Sequence, residues 1–235
     1  MAPISGPTHI SAEDSASSVG FVSNDDAGRP TIVMLVRHGE TPTTGKVLPG
    51  RAPGLHLSER GREQARAVAQ RLAGVPVSAI YTSPMERTRE TAVPSERATG
   101  LTARTEQDLI ECDFGDWTGE NLTDLMKLPE WSTVQRAPSS FRFPNGESFS
   151  RMQSRTVDAV DRAREAHPGG VVVCFSHADP LKAVLAHALG THLDLFQRIV
   201  VDPCSVSVIA YHPGQAPAVL RVNSTDGPLA SLIPP

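Results

Sequence analysis

Short runs of apolar, mostly β-branched residues alternate along the chain with longer amphipathic stretches. The two strongest runs cover residues 31–36 and 171–176, and a third covers residues 77–82. Continuous apolar runs of this length predict strands that are buried on both faces, as in a parallel sheet. Weaker patterns predict further strands at residues 101–105, 205–211 and 218–222.

Between the strands, apolar residues recur at helical spacing. This spacing predicts helices at residues 58–72, from residue 83 onward, at 147–166 and from residue 179 onward. Strands that alternate with helices in this way predict a three-layer α/β/α sandwich with a mostly parallel central sheet.

The expected helix boundaries come from capping residues and prolines. Ser58 is the expected N-cap of the first helix. The dipeptides Ser83-Pro84 and Asp179-Pro180 have the order that favours a helix start. Pro94 is expected to bend or stop the second helix, because proline lacks the N–H donor that a helix interior needs.

Length and composition predict one folded domain with a short extension. The chain has 235 residues, of which 39% are hydrophobic, and this is enough for one sizeable core. We expect that core within a domain over residues 30–235. Residues 1–29 are rich in Ser, Asp, Gly and Pro and have no continuous apolar core. They are therefore interpreted as a flexible N-terminal extension and not as a signal peptide.

Charge and hydropathy argue against several classes of function. A net charge of -4 and a pI of about 6.1 give no basic field for nucleic acid. No apolar run reaches the ~18 residues that a membrane-spanning helix needs, so no membrane partner is expected. The three cysteines are odd in number and lack metal-ligand spacing, which is typical of a reducing cytoplasm.

Cationic and imidazole side chains directly follow three of the predicted strands. Arg37 and His38 follow the first strand, Arg87 lies just past the second, and His177 follows the run at 171–176. The carboxyl ends of parallel strands meet at one edge of a sheet, where ligands bind. We therefore expect these groups to form a pocket for a dianion, of which phosphate is the obvious candidate.

The residue types in this pocket suit phosphoryl transfer. A histidine such as His38 can act as a nucleophile, a base or a metal ligand. A leaving alkoxide also needs a proton from a carboxylic acid, for which Glu40, Glu111 and Asp113 are candidates. A metal site built on His38 with Glu40 and His177 with Asp179 is the alternative, although arginines beside a dication are unfavourable.

Several motifs then carry a family resemblance. They are Arg-His-Gly-Glu-Thr at 37–41, Ser-Pro-Met-Glu-Arg-Thr at 83–88, the segment 109–119 with Phe-Gly-Asp-Trp, Pro-Asn-Gly-Glu-Ser at 144–148, and Ser-His at 176–177. Their ordered set resembles the histidine phosphatase superfamily in its phosphoglycerate-mutase-like branch. The resemblance implies that His38 becomes phosphorylated and that Arg37, Arg87 and His177 surround the phosphate. It also implies Glu111 as the proton donor, with neither a metal nor another cofactor.

Four further residues are candidates for substrate binding. Gly39 leaves room for the phosphorus to approach. Thr44 stands where the family often has asparagine and can still hydrogen-bond phosphate, and Ala178 stands where the family commonly has glycine. Arg142 is a candidate for contact with a substrate carboxylate. Its neighbours Phe141 and Phe143 are expected, with Trp131, to form a small satellite core.

The leading hypothesis is a metal-independent phosphomonoesterase that hydrolyses a small phosphorylated metabolite through a phosphohistidine. A cofactor-dependent phosphoglycerate mutase is the first alternative, although the segment 114–119 is closer to the phosphatase pattern. The second alternative is a non-catalytic phosphate-binding protein. A small phosphorylated substrate is the expected partner, and a homodimer is left open.

Overall fold

The computed structural model describes residues 28–233, and its secondary structure alternates between strands and helices. The predicted flexible extension over residues 1–29 lies almost entirely outside the described residues. The strands are β1 (Thr31–Arg37), β2 (Val77–Thr82), β3 (Arg104–Thr105), β4 (Val171–Ser176), β5 (Val206–Tyr211) and β6 (Ala218–Ser224). The helices are α1 (Glu59–Arg71), α2 (Glu86–Thr99), α3 (Leu122–Leu125), α4 (Trp131–Arg136), α5 (Phe149–Glu165) and α6 (Ala178–Ala188).

The strands form one sheet in the order β3-β2-β4-β1-β5-β6. The pairs β3–β2, β2–β4 and β4–β1 are parallel, whereas β5 runs antiparallel to both β1 and β6. Five strands therefore point the same way, and the predicted mostly parallel sheet is confirmed. Because β2, β4 and β1 are adjacent and parallel, their carboxyl ends lie side by side at one edge.

Side-chain alternation along β1 connects the sheet to a helical layer on each face. Ile32, Met34 and Val36 belong to a core that includes Ala65 and Val68 of α1. The intervening Val33 and Leu35 pack with residues of α5 and α6, among them Val160, Leu181 and Val184. The predicted three-layer α/β/α architecture is thus confirmed.

The second helix differs from its predicted boundaries at both ends. Pro94 lies inside α2 and does not stop it, because the helix continues to Thr99. An interior proline costs a helix about 3 kcal/mol, and here the packing of α2 against the core, with Thr91 and Ala92 on its buried face, offsets that cost. At the other end, Met85 is in the N-cap position, so Ser83 does not cap this helix. The hydroxyl of Ser83 is engaged elsewhere, as described below.

The fourth predicted helix, α6, begins one residue earlier than expected. His177 is in its N-cap position, so Asp179 and Pro180 lie within the first helical turn. An imidazole therefore stands at the N-terminus of this helix, directly after the buried strand β4. This position brings His177 to the carboxyl edge of the sheet.

A cluster of aromatic residues forms a satellite core beside the main sheet. It contains Phe141, Phe143 and Phe149. The ring centroid of Phe143 lies 5.0 Å from that of Phe141 and 5.1 Å from that of Phe149. Trp131 is partly buried and packs against the same cluster, as expected from the sequence. Within residues 28–233, none of the helices has the length and apolar character to cross a bilayer.

Candidate active site

His38 is held at the end of β1 by bonds to its own loop. Its backbone N–H donates to the carbonyl of Ser176 at 3.0 Å, and its Nδ1 lies 2.7 Å from the carbonyl oxygen of Gly39. A carbonyl oxygen can only accept, so Nδ1 carries the proton and Nε2 keeps its lone pair. Burial, together with the charges of Arg87 and Arg37, holds the pKa of His38 well below its usual value. His38 is therefore neutral, with a nucleophilic Nε2.

Gly39 is required by the packing of the first helix. A Cβ at this position would stand 2.6 Å from the backbone oxygen of Gly61 in α1. The N–H of Gly39 donates to Oγ1 of Thr91 at 3.0 Å. The face of Gly39 that lacks a side chain therefore packs against the backbone of α1. This contact fixes the loop that carries His38.

Arg37 and Arg87 carry buried guanidinium groups that are only partly satisfied. One nitrogen of Arg37 donates to the carbonyl of Val201 at 2.7 Å, and one of Arg87 donates to the carbonyl of Gly50 at 2.9 Å. Nε of Arg37 and both Nε and Nη1 of Arg87 are buried without a protein acceptor in the described part of the chain. Buried polar groups in native proteins nearly always have partners, so these donors indicate an anion-binding site.

His177 completes the group of unpaired donors. It is fully buried, and its ring centroid lies 5.3 Å from that of His38. Its Nε2 lies 2.8 Å from Oγ of Ser83, whereas Nδ1 is buried without a hydrogen-bond partner in residues 28–233. Burial and the nearby charge of Arg87 lower the pKa of His177 well below its usual value, so the ring is neutral.

Ser83 contacts one of the two ring nitrogens of His177. Its Oγ receives a long hydrogen bond of 3.4 Å from the N–H of Met85 and lies 2.8 Å from Nε2 of His177. A hydroxyl group can donate to this nitrogen or accept from it, and the direction depends on the tautomer of the ring. The tautomer in which Ser83 donates to Nε2 has its ring proton on Nδ1, the nitrogen without a partner, and is the form that could donate to a phosphate oxygen. Sequence reasoning missed this role, because Ser before Pro also matches a helix cap.

Glu111 is the acid that the structure brings to the histidines. Its Oε2 lies 4.0 Å from Nδ1 of His177, and its Oε1 accepts from the N–H of Cys112 at 2.8 Å. Burial, followed by the negative charge of Asp179, raises the pKa of Glu111 to about 7. The raised pKa keeps a protonated carboxyl group available near neutral pH, as a general acid requires.

The other two candidate acids lie elsewhere. The side chain of Asp113 is 43% exposed, pairs with Arg51 at 3.7 Å and accepts from the N–H of Gly115. Glu40 pairs with Arg60 on the surface. Neither side chain lines the cavity that contains Glu111 and His38. Among the candidates from the sequence, the geometry favours Glu111.

A buried ion network holds the backbone of Glu111. Arg155 donates to the carbonyls of Asp108, Ile110 and Glu111 and binds both carboxylate oxygens of Glu147 at 2.8 and 2.9 Å. Arg51 also donates to the Glu111 carbonyl, at 2.9 Å. Arg51 lies in the glycine- and proline-rich loop after β1 and also binds Glu147, at 3.0 Å. The only sequence signal for the network was the Pro-Asn-Gly-Glu-Ser motif, which contains Glu147.

A cavity of about 310 Å³ opens beside these groups. Arg37, His38 and Glu111 line it, and so do the predicted substrate-binding residues Thr44 and Ala178. The Thr44 hydroxyl already accepts from the N–H of Thr41 at 2.9 Å. The remaining wall includes Leu48, Phe114, Trp131, Gln135, Asp179, Lys182 and Gln197.

Arg142 does not line this cavity. It is exposed, and its guanidinium donates to the carbonyl of Gly146 at 3.2 Å. Phe141 and Phe143 on either side of it are buried in the satellite core, so the alternation of the chain turns Arg142 to the surface. Of the predicted site residues, the cavity is thus lined by Arg37, His38, Thr44, Glu111 and Ala178. His177 and Arg87 are buried beside His38 and do not line the cavity. Gly39 has a packing role, and Arg142 lies apart.

The residues 28–233 contain no group of three or more histidine, cysteine, aspartate or glutamate side chains arranged to hold a metal ion. All three cysteines are free and buried. Arg37 and Arg87 place positive charge beside the two histidines.

The α/β sheet thus carries two histidines and two arginines at its carboxyl edge. The model of the histidine phosphatase superfamily (branch 1) matches residues 33–225, so the chain belongs to that superfamily. This confirms the family resemblance that the sequence motifs carried.

Individual relatives agree with this assignment. The bifunctional protein Rv2228c of Mycobacterium tuberculosis is 33% identical over 223 residues, which cover 93% of this chain and 60% of that protein. Phosphoserine phosphatase 1 of Hydrogenobacter thermophilus is 33% identical over 198 residues, covering 82% of this chain and 92% of that protein. The chain thus spans about three fifths of the length of its mycobacterial relative.

A solved structure shares the fold. The native structure of mycobacterial glucosyl-3-phosphoglycerate phosphatase Rv2419c has a TM-score of 0.76 with this chain at 24% identity. The similarity covers 83% of this chain and 100% of that chain. At this level of identity the likeness shows the fold alone.

Proposed function

We propose that the protein is a metal-independent phosphomonoesterase that hydrolyses a small phosphorylated metabolite through a phosphohistidine at His38. One observation carries the proposal: buried side-chain nitrogens of Arg37, Arg87 and His177 lack protein partners beside a neutral histidine. An anion with several oxygens matches these donors, and a phosphomonoester dianion supplies such a group. The similarity to phosphoserine phosphatase 1 supports the same chemistry.

The first chemical step transfers the phosphoryl group to the enzyme. Nε2 of His38 attacks phosphorus, and the bond between phosphorus and the ester oxygen breaks. Arg37 and Arg87 stabilise the charge on the nonbridging oxygens, and Nδ1–H of His177 donates to the same group. The leaving alkoxide takes the proton of Glu111 and departs as an alcohol.

The second step releases inorganic phosphate. Glu111, now a carboxylate, takes a proton from a water molecule, whose oxygen attacks phosphorus. The bond between phosphorus and Nε2 breaks, and His38 returns to its neutral state. Because the pKa of Glu111 is raised to about 7, this carboxyl group can serve as the acid in one step and the base in the next.

A phosphoglycerate mutase is the alternative with the same intermediate. A mutase must protect the phosphoenzyme from water until the phosphate returns to the substrate. The segment 114–119, closer to the phosphatase pattern, favours hydrolysis over transfer. A non-catalytic phosphate-binding protein is less favoured, because every group with a proposed chemical role is present.

Phosphate release from p-nitrophenyl phosphate and from a panel of phosphorylated metabolites tests the proposal, with a coupled mutase assay on 3-phosphoglycerate alongside. We expect release of inorganic phosphate without mutase turnover. Mutase turnover that greatly exceeds phosphate release would favour the alternative, and no turnover of any substrate would favour the binding protein. A cytoplasmic location and a homodimer stay predictions.

A further inference from the structure

Lys182 is a cation in the cavity wall that the proposed phosphoryl transfer does not use. It belongs to α6, one helical turn after Ala178, and it lines the same cavity as His38. Its side chain is only 18% exposed. Lysine is usually among the most exposed residues, so a partly buried ammonium group needs compensation from a partner.

Lys182 forms an ion pair with Asp179 of its own helix and contacts the amide of Gln197. Nζ of Lys182 lies 3.2 Å from Oε1 of Gln197 and 3.5 Å from Oδ1 of Asp179. The second distance is long for a charge-assisted hydrogen bond, which is ordinarily about 2.7–2.9 Å. An ammonium group has three N–H donors, so Lys182 retains capacity for a further acceptor in the cavity.

A second anionic group on the substrate would meet this capacity. The phosphate already has Arg37, Arg87 and the N–H of His177 as donors. Lys182 therefore suits a different acid group on the same ligand. At about 310 Å³ the cavity lies at the small end of ligand sites, which favours a short carbon chain between the two groups.

We propose that Lys182 and Gln197 form a subsite for the carboxylate of the substrate, so the natural substrates are phosphomonoesters of small carboxylic acids. The ammonium of Lys182 pairs with the carboxylate, and the amide N–H₂ of Gln197 is available as a second donor. This subsite replaces Arg142 as the carboxylate contact, since Arg142 lies outside the cavity. The inference rests on the proposed function, because it assumes that the phosphate lies at His38.

Matched substrate pairs test the subsite. 3-Phosphoglycerate has a carboxylate where glycerol 3-phosphate has a hydroxymethyl group. O-Phosphoserine has a carboxylate where O-phosphoethanolamine has hydrogen. The wild type should have a higher kcat/KM for the acid in at least one pair. Lys182→Met should lower that acid-to-partner ratio about tenfold or more, as expected for the loss of a hydrogen bond between charged groups. Lys182→Arg should restore most of it.

Lys127→Met is the matched control. Lys127 is 74% exposed and pairs with Asp124 on the surface, so its loss should leave the ratio at the wild-type value. The subsite is wrong if the wild type prefers neither acid to its partner, or if Lys182→Met retains the wild-type ratio.

A binding measurement separates this inference from the proposed chemistry. His38→Ala lacks the nucleophile, so titration calorimetry can follow 3-phosphoglycerate and glycerol 3-phosphate without turnover. We expect tighter binding of the acid, and loss of that difference when Lys182→Met is added. If the binding preference depends on Lys182 but the wild type hydrolyses no ester, the subsite stands and the phosphatase proposal fails. If the wild type hydrolyses esters but binding is independent of Lys182, the subsite fails alone.

Discussion

Oγ of Ser83 lies 2.8 Å from Nε2 of His177, and both side chains are completely buried. This contact joins the end of β2 to the N-terminus of α6. It also leaves Nδ1 as the nitrogen of His177 without a partner among the described residues. We expect Ser83 to donate to Nε2, so that the proton of His177 resides on Nδ1.

Removal of that hydroxyl should change the tautomer of His177. In Ser83→Ala, Nε2 loses its donor, so the preference for a proton on Nδ1 is lost. We expect kcat to fall about tenfold, the equivalent of one hydrogen bond in the transition state. Histidine ¹⁵N NMR should show the Nδ1–H tautomer of His177 in the wild type and a mixture in the variant.

Ser95→Ala is the control for this experiment. Ser95 is equally buried, but its hydroxyl has no hydrogen-bond partner among residues 28–233. That variant should retain the wild-type tautomer and kcat. A wild type in which His177 carries its proton on Nε2 would contradict the assignment of Ser83.

The raised pKa of Glu111 predicts a pH dependence. The protonated carboxyl group is the form that donates to the leaving alkoxide, and it is lost as the pH rises through about 7. The rate of cleavage of an alkyl phosphate should therefore decline above that pH whenever this step limits turnover. Glu111→Gln should abolish this decline, because the variant has no titrating group there, and should turn over slowly at every pH.

The leaving group provides a second measure of the same role. p-Nitrophenolate is a stabilised anion and needs a proton less, so Glu111→Gln should slow its release less than that of an alkoxide. Asp113→Asn, outside the cavity, is the control and should slow neither substrate selectively. If Glu111→Gln slowed both substrates equally, the general acid would have to be another residue.

Arg155 should contribute to both stability and activity. It pairs with Glu147 through two bonds, and their side chains are 13% and 6% exposed. Removing one partner of such a pair leaves a buried charge, so Arg155→Met should lower the free energy of unfolding by about 3 kcal/mol. The kcat should also fall, because the Glu111 backbone loses a donor. Denaturant unfolding and steady-state kinetics measure the two effects.

Arg162 offers the comparison on the same helix. It is 51% exposed and pairs with Glu106 and Asp108 at the surface. Arg162→Met should therefore cost no more than about 1 kcal/mol and leave kcat near the wild-type value. An equal loss of stability in both variants would show that the Glu147 network has no special role.

Chelation should not inhibit the enzyme. Arg37 and Arg87 supply the positive charge that a metal ion would otherwise provide to the equatorial oxygens. We expect kcat and KM for p-nitrophenyl phosphate to be the same before and after dialysis against EDTA. Loss of activity that a divalent cation restores would contradict this prediction and favour the metal alternative.

Most of the fold and much of the site could be predicted because both depend on local sequence. Apolar runs identified β1 and β4, and the residues that follow them identified the edge where Arg37, His38 and His177 meet. Parallel neighbours share a carboxyl edge, so strand order alone brings these side chains together. The large aromatic residues Trp131, Phe141 and Phe143 likewise indicated the satellite core.

The errors and omissions arose where a contact between distant segments overrides the local signal or has none. Pro94 is tolerated within α2, since the buried face of that helix offsets the lost hydrogen bond. Ser83 binds His177, 94 positions away, in preference to capping a helix. Arg51 binds Glu147, 96 positions away. No periodicity or motif spacing in a single sequence reveals such pairs.

The covalent intermediate tests the account most directly. The protein should be mixed with substrate, quenched rapidly without acid and digested, and the phosphopeptides identified by mass spectrometry. We predict phosphate on the peptide that contains His38, and this label should be labile to acid and stable to base. His38→Ala should show neither the label nor turnover. His177→Ala should bind substrate more weakly, and its phosphoryl transfer should be severely slowed. Phosphate on His177, or near-normal turnover by His38→Ala, would contradict the assignment of His38 as the nucleophile.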